Sequence, residues 1–226
     1  MRFVAQVLSG CVFTALSGAA LANGGGAMPT PSMATPRLES PQEKARDAYN
    51  DGVHQVKKAD KAADGAAHAG DAAQKDKASK EAHDAYAAAF AKFQESVQLD
   101  PRNAEAWNYY GYTSRKLGNY DDALAAYGKA LTLKPGYPDA LEYRGEAYLG
   151  LNRVDDAKQA YLDLYAGNRA LAGKLLSAMK GWSAAQRGGS AGAANLDDLD
   201  KWIHEREQIA GQTASLSRAG TAASWH

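Results

Sequence analysis

The sequence repeats itself at an interval of 34 residues. Small and aromatic residues of the central segment, 104–135, return at this spacing further along the chain. The matching pairs are Gly111 and Gly145, Ala123 and Ala157, and Tyr127 and Tyr161. The interval also reaches backwards, to Ala89, Phe93 and Pro101. A fixed period of about 34 residues is typical of stacked helix-turn-helix units. The sequence therefore predicts an all-α fold made of helical hairpins.

The small residues of the repeat predict a close contact between the two helices of each unit. Gly111 and Ala123 fall on consecutive helices, and their lack of bulk lets the two backbones approach. The large side chains expected to fill the surrounding space are Trp107, Tyr110 and Tyr127. Pro135 cannot continue a helix, so the unit ends before it. One hairpin cannot bury its apolar face alone, and neighbouring units must stack.

The central segment resembles the tetratricopeptide repeat (TPR) family. The residues that carry the resemblance are Trp107, Gly111, Ala123, Tyr127, Ala130 and Pro135. The resemblance implies a helix-turn-helix repeat solenoid in which the first helix of each repeat lines a concave groove. We expect the TPR-like helical domain over 41–187, with repeats at about 41–101, 103–136 and 137–167. A solenoid needs a cap on its exposed end, and the apolar residues of 170–187 predict a capping helix.

The N-terminus has the pattern of an export signal. Arg2 is followed by a mostly apolar run over 3–16 and by the small-x-small sequence Ala20-Leu21-Ala22. We expect residues 1–22 to be a signal peptide of an exported bacterial protein, cleaved after Ala22, which places the chain in the periplasm or outside the cell. A second interpretation takes Leu8-Ser9-Gly10-Cys11 as a lipoprotein box, although Cys11 lies close to the start. Residues 23–40, rich in Gly, Pro and Ser, predict a disordered linker.

The first repeat is atypical because an insertion separates its two helices. Gly52 occupies the place that Gly111 holds later. Residues 57–80 are rich in Ala, Lys and Asp and have little apolar content. They form either a hinge between two lengthened helices or a solvated helical extension, and the sequence leaves open whether the segment is helical or a flexible insertion. A one-face apolar stripe then returns at Tyr86, Phe90, Phe93 and Val97.

The C-terminal region, 188–226, is predicted to contain a flexible break, an amphipathic helix and a tail. The break is Gly-rich and follows Arg187. Leu199, Trp202 and Ile203 share one face of a helix over 196–209. Residues 211–226 are rich in Ser, Thr and Ala, and we expect them to fray.

No residue pattern in the sequence indicates catalysis, a metal site or a cofactor site. The 26 basic and 26 acidic residues balance, so charge gives no case for a nucleic-acid or membrane-surface partner. After cleavage the chain has no cysteine, no integral membrane segment, and neither a phosphate-binding loop nor a nucleophile elbow. The spacings of His54, His68 and His83 fit no metal-ligand motif. We predict a protein that is not an enzyme.

The TPR resemblance places five residues in a peptide-binding groove: Asn108, Tyr112, Arg115, Glu142 and Glu146. Asn108 and Arg115 suit a peptide backbone or a carboxylate. Glu142 and Glu146, one helical turn apart, favour a basic segment. The predicted function is an exported adaptor or scaffold that binds a protein or peptide. The alternative is a structural or oligomerising subunit of a cell-envelope complex, and the sequence leaves the oligomeric state open.

Overall fold

The computed structural model describes residues 39–188 and 194–222, and all regular structure in these ranges is helical. The helices are α1 (Pro41–Ala67), α2 (Ala72–Leu99), α3 (Ala104–Lys116), α4 (Tyr120–Leu133), α5 (Pro138–Gly150), α6 (Val154–Gly167), α7 (Arg169–Arg187) and α8 (Ala194–Ala222). The predicted all-α helical-repeat fold is confirmed. The predicted signal peptide, the lipoprotein box at Cys11 and the linker up to residue 38 lie outside the described residues, as does most of the break before α8.

The first helix begins at a capping box encoded in the local sequence. The Glu43 backbone N–H donates to Ser40 Oγ (3.2 Å), and the Ser40 N–H donates to Glu43 Oε2 (2.8 Å). Pro41 stands at the first helical position, where its missing N–H costs nothing.

Residues 57–80 belong to two lengthened helices joined by a short turn, and they are not a flexible insertion. Helix α1 continues to Ala67, and α2 begins at Ala72 after a short turn. Asp71 starts α2, with its carboxylate accepting from the Gln74 N–H (2.8 Å). Alanine has the highest helix propensity, and this explains why a segment poor in apolar residues still folds as helix.

The next two hairpins, α3–α4 and α5–α6, turn in the same way. Asn103 starts α3, and its side chain accepts from the Ala106 N–H (2.9 Å), as expected of an N-cap residue. The turns after α3 and α5 place Gly118 at φ +83° and Asn152 at φ +58°. These positions are one period apart, and Gly and Asn are the residues that adopt this left-handed conformation most readily.

The close contact predicted at Gly111 is present. A Cβ atom on Gly111 would lie 2.6 Å from Cε1 of Tyr127, whose side chain is fully buried. The same relation holds in the atypical first repeat, where a Cβ on Gly52 would lie 2.7 Å from Cζ of Phe93. Trp107 fills less of the core than expected: it is only half-buried, and its indole N–H donates to the Pro101 carbonyl.

Helices α7 and α8 close the C-terminal end of the stack. Leu175 and Met179 of α7 and Leu199 of α8 are fully buried in one cluster with residues of α6. Trp202 of α8 packs edge-on against Tyr161 (5.2 Å between ring centroids). Ser183 of α7 donates to Asp200 of α8 (2.6 Å). The apolar face predicted for α8 is therefore used inside the fold.

Helix α8 is longer than its sequence pattern indicated. The apolar spacing ends at Ile209, yet the helix continues to Ala222, so the prediction that 211–226 would fray is wrong as far as residue 222. No proline interrupts 194–222, and low intrinsic propensity alone does not stop a helix that is already formed.

The first helices of successive units contact one another and so share one face. Contacts run from α1 to α3, from α3 to α5 and from α5 to α7. We call the side of α3 and α5 that carries the five predicted residues the groove face. Within the described ranges, no helix combines the length and apolar character needed to cross a membrane.

Candidate functional site: the groove face

Helical spacing and stacking together bring the predicted residues into one region. Asn108, Tyr112 and Arg115 follow one face of α3, since residues three and four apart are neighbours on a helix. Arg115 forms an ion pair with Glu146 across the junction of the two helices. Tyr112 also contacts Tyr143 of α5, with ring centroids 5.0 Å apart. The groove face is therefore a continuous surface built by two repeats.

The five predicted groove residues are more buried than a peptide-binding role led us to expect from the sequence. Asn108, Glu142 and Tyr112 expose only 3%, 5% and 9% of their surface. The side chains of Arg115 and Glu146 are 13% and 24% exposed. These residues form the floor of the groove face, and part of their bonding capacity is used within the protein.

A carboxylate that the sequence analysis missed anchors one end of this floor. Asp60 Oδ1 accepts hydrogen bonds from the Tyr86 hydroxyl (2.6 Å) and the Tyr112 hydroxyl (2.7 Å). Burial, and next the bond to Asp60, raise the pKa of both tyrosines. Asp60 follows Val53 and Val56 at helical spacing, so it shares their inward face. That spacing was the signal available in the sequence.

The basic end of the groove face is Arg115 and Lys116, with the carboxylates Asp60 and Glu146 near them. The Arg115 guanidinium lies 5.4 Å from the Tyr112 ring centroid and 5.5 Å from that of Tyr143. Burial acts to lower the pKa of Arg115, but Glu146 and the neighbouring tyrosines outweigh it and the pKa is raised.

Lys116 is the exposed member of the basic end. Partial desolvation of its ammonium by the surrounding protein, and next the charge of Arg115, lower the pKa of Lys116, while Asp60 and Glu146 oppose them. The two cations of this end thus have the carboxylates Asp60, Asp64 and Glu146 near them.

The acidic end of the groove face is Asn108, Asp139 and Glu142. Glu142 has no hydrogen bond and no ion pair within 4 Å in the described structure, and Asn108 Oδ1 has no hydrogen-bond partner. Burial, and then the charge of Glu146, raise the pKa of Glu142. Lys174 of α7 acts in the opposite direction, without reaching ion-pair distance.

Tyrosine rings surround the acidic end. Burial first, and then Glu142 and Asp139, raise the pKa of Tyr143 to about 12. Burial and the charge of Asp139 also raise the pKa values of Tyr109 and Tyr137. Asp139 therefore lies close enough to all three hydroxyl groups to affect their ionisation.

The described residues contain no group of three or more His, Cys, Asp or Glu side chains arranged to hold a metal ion. His54, His68 and His83 are exposed on the long first hairpin. His68 Nδ1 is 2.8 Å from the Asp64 carbonyl oxygen, a contact within its own helix terminus.

The chain folds into stacked helical hairpins with a 34-residue period, and the first helices of these hairpins share one face. This architecture defines a helical-repeat protein. Residues 111–152 match a family model described as TPR repeat, and residues 92–125 match one described as tetratricopeptide repeat. The segment that these two models cover, residues 92–152, therefore consists of tetratricopeptide repeats. No curated protein gives a significant sequence match to it.

Several solved structures resemble the chain. The second TPR domain of human RPAP3, in complex with an HSP70 peptide, is 20% identical at a TM-score of 0.46, over 61% of this chain and 96% of that one. The TPR2B domain of yeast Sti1, in a pHsp70 complex, is 18% identical at a TM-score of 0.38, over 72% and 98%. MamA is 19% identical at a TM-score of 0.44, over 79% and 99%.

Proposed function

We propose that this TPR protein is an exported scaffold that binds a segment of a partner protein or peptide on its groove face. The observation that carries the proposal is the junction of α3 and α5, where Arg115 and Glu146 pair and the rings of Tyr112 and Tyr143 meet. Two repeats thereby contribute to one surface that contains tyrosine and arginine side chains, two residue types that are enriched at interfaces.

The two ends of the repeat stack favour an adaptor over the alternative of a structural or oligomerising subunit. At the C-terminal end, Leu199 and Ile203 of α8 are buried against the protein itself. At the N-terminal end, the outer side of the first hairpin presents polar groups, including Lys58, Glu81 and Asp84. Polar ends discourage end-to-end stacking. Sizing of the purified chain by light scattering distinguishes the two roles, since a structural subunit would form concentration-dependent oligomers.

Export rests on residues 1–22 and is a separate part of the proposal. The basic residue, apolar run and small-x-small site support cleavage after Ala22. N-terminal sequencing of the exported protein is expected to start at Asn23. A mature protein that starts at a lipid-modified Cys11 would instead establish the lipoprotein.

Site-specific photo-crosslinking tests the groove face without disturbing its buried floor. Lys116 on α3 and Lys129 on α4 are both exposed lysines, but only Lys116 lies on the groove face. A photo-reactive amino acid at position 116 should capture a partner protein in the cell envelope, whereas the same group at position 129 should not. Equal capture from both positions would mean that the groove face is not the binding surface.

A further inference from the structure

The acidic end of the groove face contains two acceptors, on largely buried residues, that the described part of the chain leaves without donors. Asn108 and Glu142 occupy the same position in successive repeats, and both are more than nine-tenths buried. Neither Asn108 Oδ1 nor the Glu142 carboxylate accepts a hydrogen bond in the described structure. Buried polar groups are nearly always satisfied, and one that is not raises the question of an external partner.

The charges of the groove face are balanced at one end only. Arg115 is paired with Glu146. Glu105, which precedes Asp139 by one period, is paired with Lys134 (2.9 Å). Among the described residues, Asp139 and Glu142 have no such partner.

Lys174, a cation near the acidic end, does not come within ion-pair distance of Glu142. Lys174 acts on Glu142 from α7 but is exposed and makes no ion pair with the described part of the chain. The carboxylates of the acidic end therefore have no direct counter-ion in the described part of the chain.

Aromatic rings at the acidic end already accommodate cations from within the chain. Lys134 Nζ lies 4.3 Å from the Tyr137 ring centroid, and the Arg115 guanidinium lies 5.5 Å from that of Tyr143. Tyr137 lies two residues before Asp139, and Tyr143 lies one helical turn after it in α5. Ring faces attract ammonium and guanidinium groups. Tyrosines around carboxylates therefore suit a cationic ligand.

We propose that Asn108, Asp139 and Glu142 bind a lysine or arginine side chain of the partner segment. The inference rests on the proposed groove function and specifies the chemistry of its ligand. The ligand N–H groups donate to the Glu142 carboxylate and the Asn108 amide oxygen, and Asp139 adds attraction. An acidic ligand fits less well, because Arg115 at the other end is already paired with Glu146, and the charges of Asp60 and Glu146 act on Lys116. The carboxylate of Glu146 is paired with Arg115 and is not part of this site.

A peptide selection tests the proposal with a defined probe. A random linear peptide library displayed on phage is selected on the immobilised full chain. Synthetic copies of the enriched peptides are then tested for crosslinking from position 116 against position 129. Peptides that crosslink from position 116 only are expected to share a Lys or Arg at one fixed position. Replacement of that residue by norleucine should weaken binding about tenfold or more.

Two variants connect the selected basic residue to the acidic end. Glu142→Gln and Asp139→Asn remove one charge each while keeping size and shape, and both should reduce peptide affinity about tenfold. The control Glu81→Gln removes one negative charge from the first hairpin and should leave affinity unchanged. Circular dichroism confirms that all three remain folded.

The possible outcomes separate this inference from the proposed function. Groove-bound peptides without a fixed basic residue, or with unchanged affinity for Glu142→Gln, overturn the inference and leave groove binding intact. If all three variants lose affinity equally, general electrostatic attraction explains binding and the site is refuted. If no selected peptide crosslinks from position 116, both the inference and the proposed function fail.

Discussion

The substitution Gly111→Ala tests the packing on which the repeat depends. The new Cβ atom would lie 2.6 to 3.0 Å from three atoms of the Tyr127 ring. That ring cannot withdraw, because it is fully buried and has Tyr143 on another side (6.3 Å between centroids). Overpacking of this kind costs about 1–3 kcal/mol. Replacing Gly by Ala within a helix returns up to about 1 kcal/mol. We expect a net loss of about 1–2 kcal/mol in the free energy of unfolding.

Gly128→Ala is the matched control for this prediction. Gly128 lies within α4, and no atom beyond the backbone of its own helix stands within 4 Å of the place that a Cβ would take, so an added methyl group meets open space. This variant should gain about 0.5–1 kcal/mol from helix propensity. The same chemical change at two helical glycines is thus expected to have opposite effects on stability.

Urea unfolding followed by circular dichroism measures both variants. Adding Tyr127→Leu to each background gives a mutant cycle, in which Gly111→Ala should be less harmful once the ring is removed. If Gly111→Ala and Gly128→Ala shift the midpoint in the same direction, helix α4 does not pack against Gly111 as described, and the repeat register is wrong.

Three further predictions concern the groove face and the C-terminal cap. Asp60→Ala leaves the hydroxyl groups of Tyr86 and Tyr112 without their acceptor, and should cost about 2 kcal/mol in urea unfolding; a loss below about 0.5 kcal/mol would show that solvent replaces the carboxylate. Glu142→Gln should stabilise the free chain by about 1 kcal/mol at pH 7, because it removes a buried carboxylate that has no donor among the described residues. The pKa of Glu142 is raised in the folded state, so its contribution to stability is most favourable below the unfolded value of 4.5 and is lost as pH rises through the folded pKa. The advantage of the Gln variant should therefore shrink as pH is lowered towards about 4, and an advantage independent of pH would exclude ionisation as its cause. Leu199→Ala empties a fully buried site between α8 and the rest of the stack and should cost about 3 kcal/mol in thermal or urea unfolding; hydrogen exchange that rises in α8 alone would instead indicate that the cap opens independently.

The sequence by itself determined the features that depend on neighbours along the chain. The 34-residue period places Gly111 and Tyr127 on adjacent helices of one hairpin, and the structure brings them into contact. Asn103 begins α3 through a bond to a backbone N–H three residues away. Such features follow from helical spacing and local hydrogen bonds, which vary little with the rest of the fold.

Features that join distant segments were decided only by the tertiary structure. Asp60 meets Tyr112, 52 residues away, because the lengthened first hairpin packs against α3. A Cβ on Gly145 would meet Leu175 of α7, although the repeat pattern alone points to the hairpin partner Tyr161.

The groove face shows the same division between local pattern and tertiary packing. The pattern placed Arg115 and Glu142 on one face, but not the pairing of Arg115 with Glu146 or the burial of Glu142. Side-chain partners and depth depend on how the helices stack, and stacking depends on the combined packing of many side chains from separate helices. A periodic pattern therefore specifies which residues face inward, whereas the contacts they make and the acceptors they leave unpaired are properties of the assembled fold.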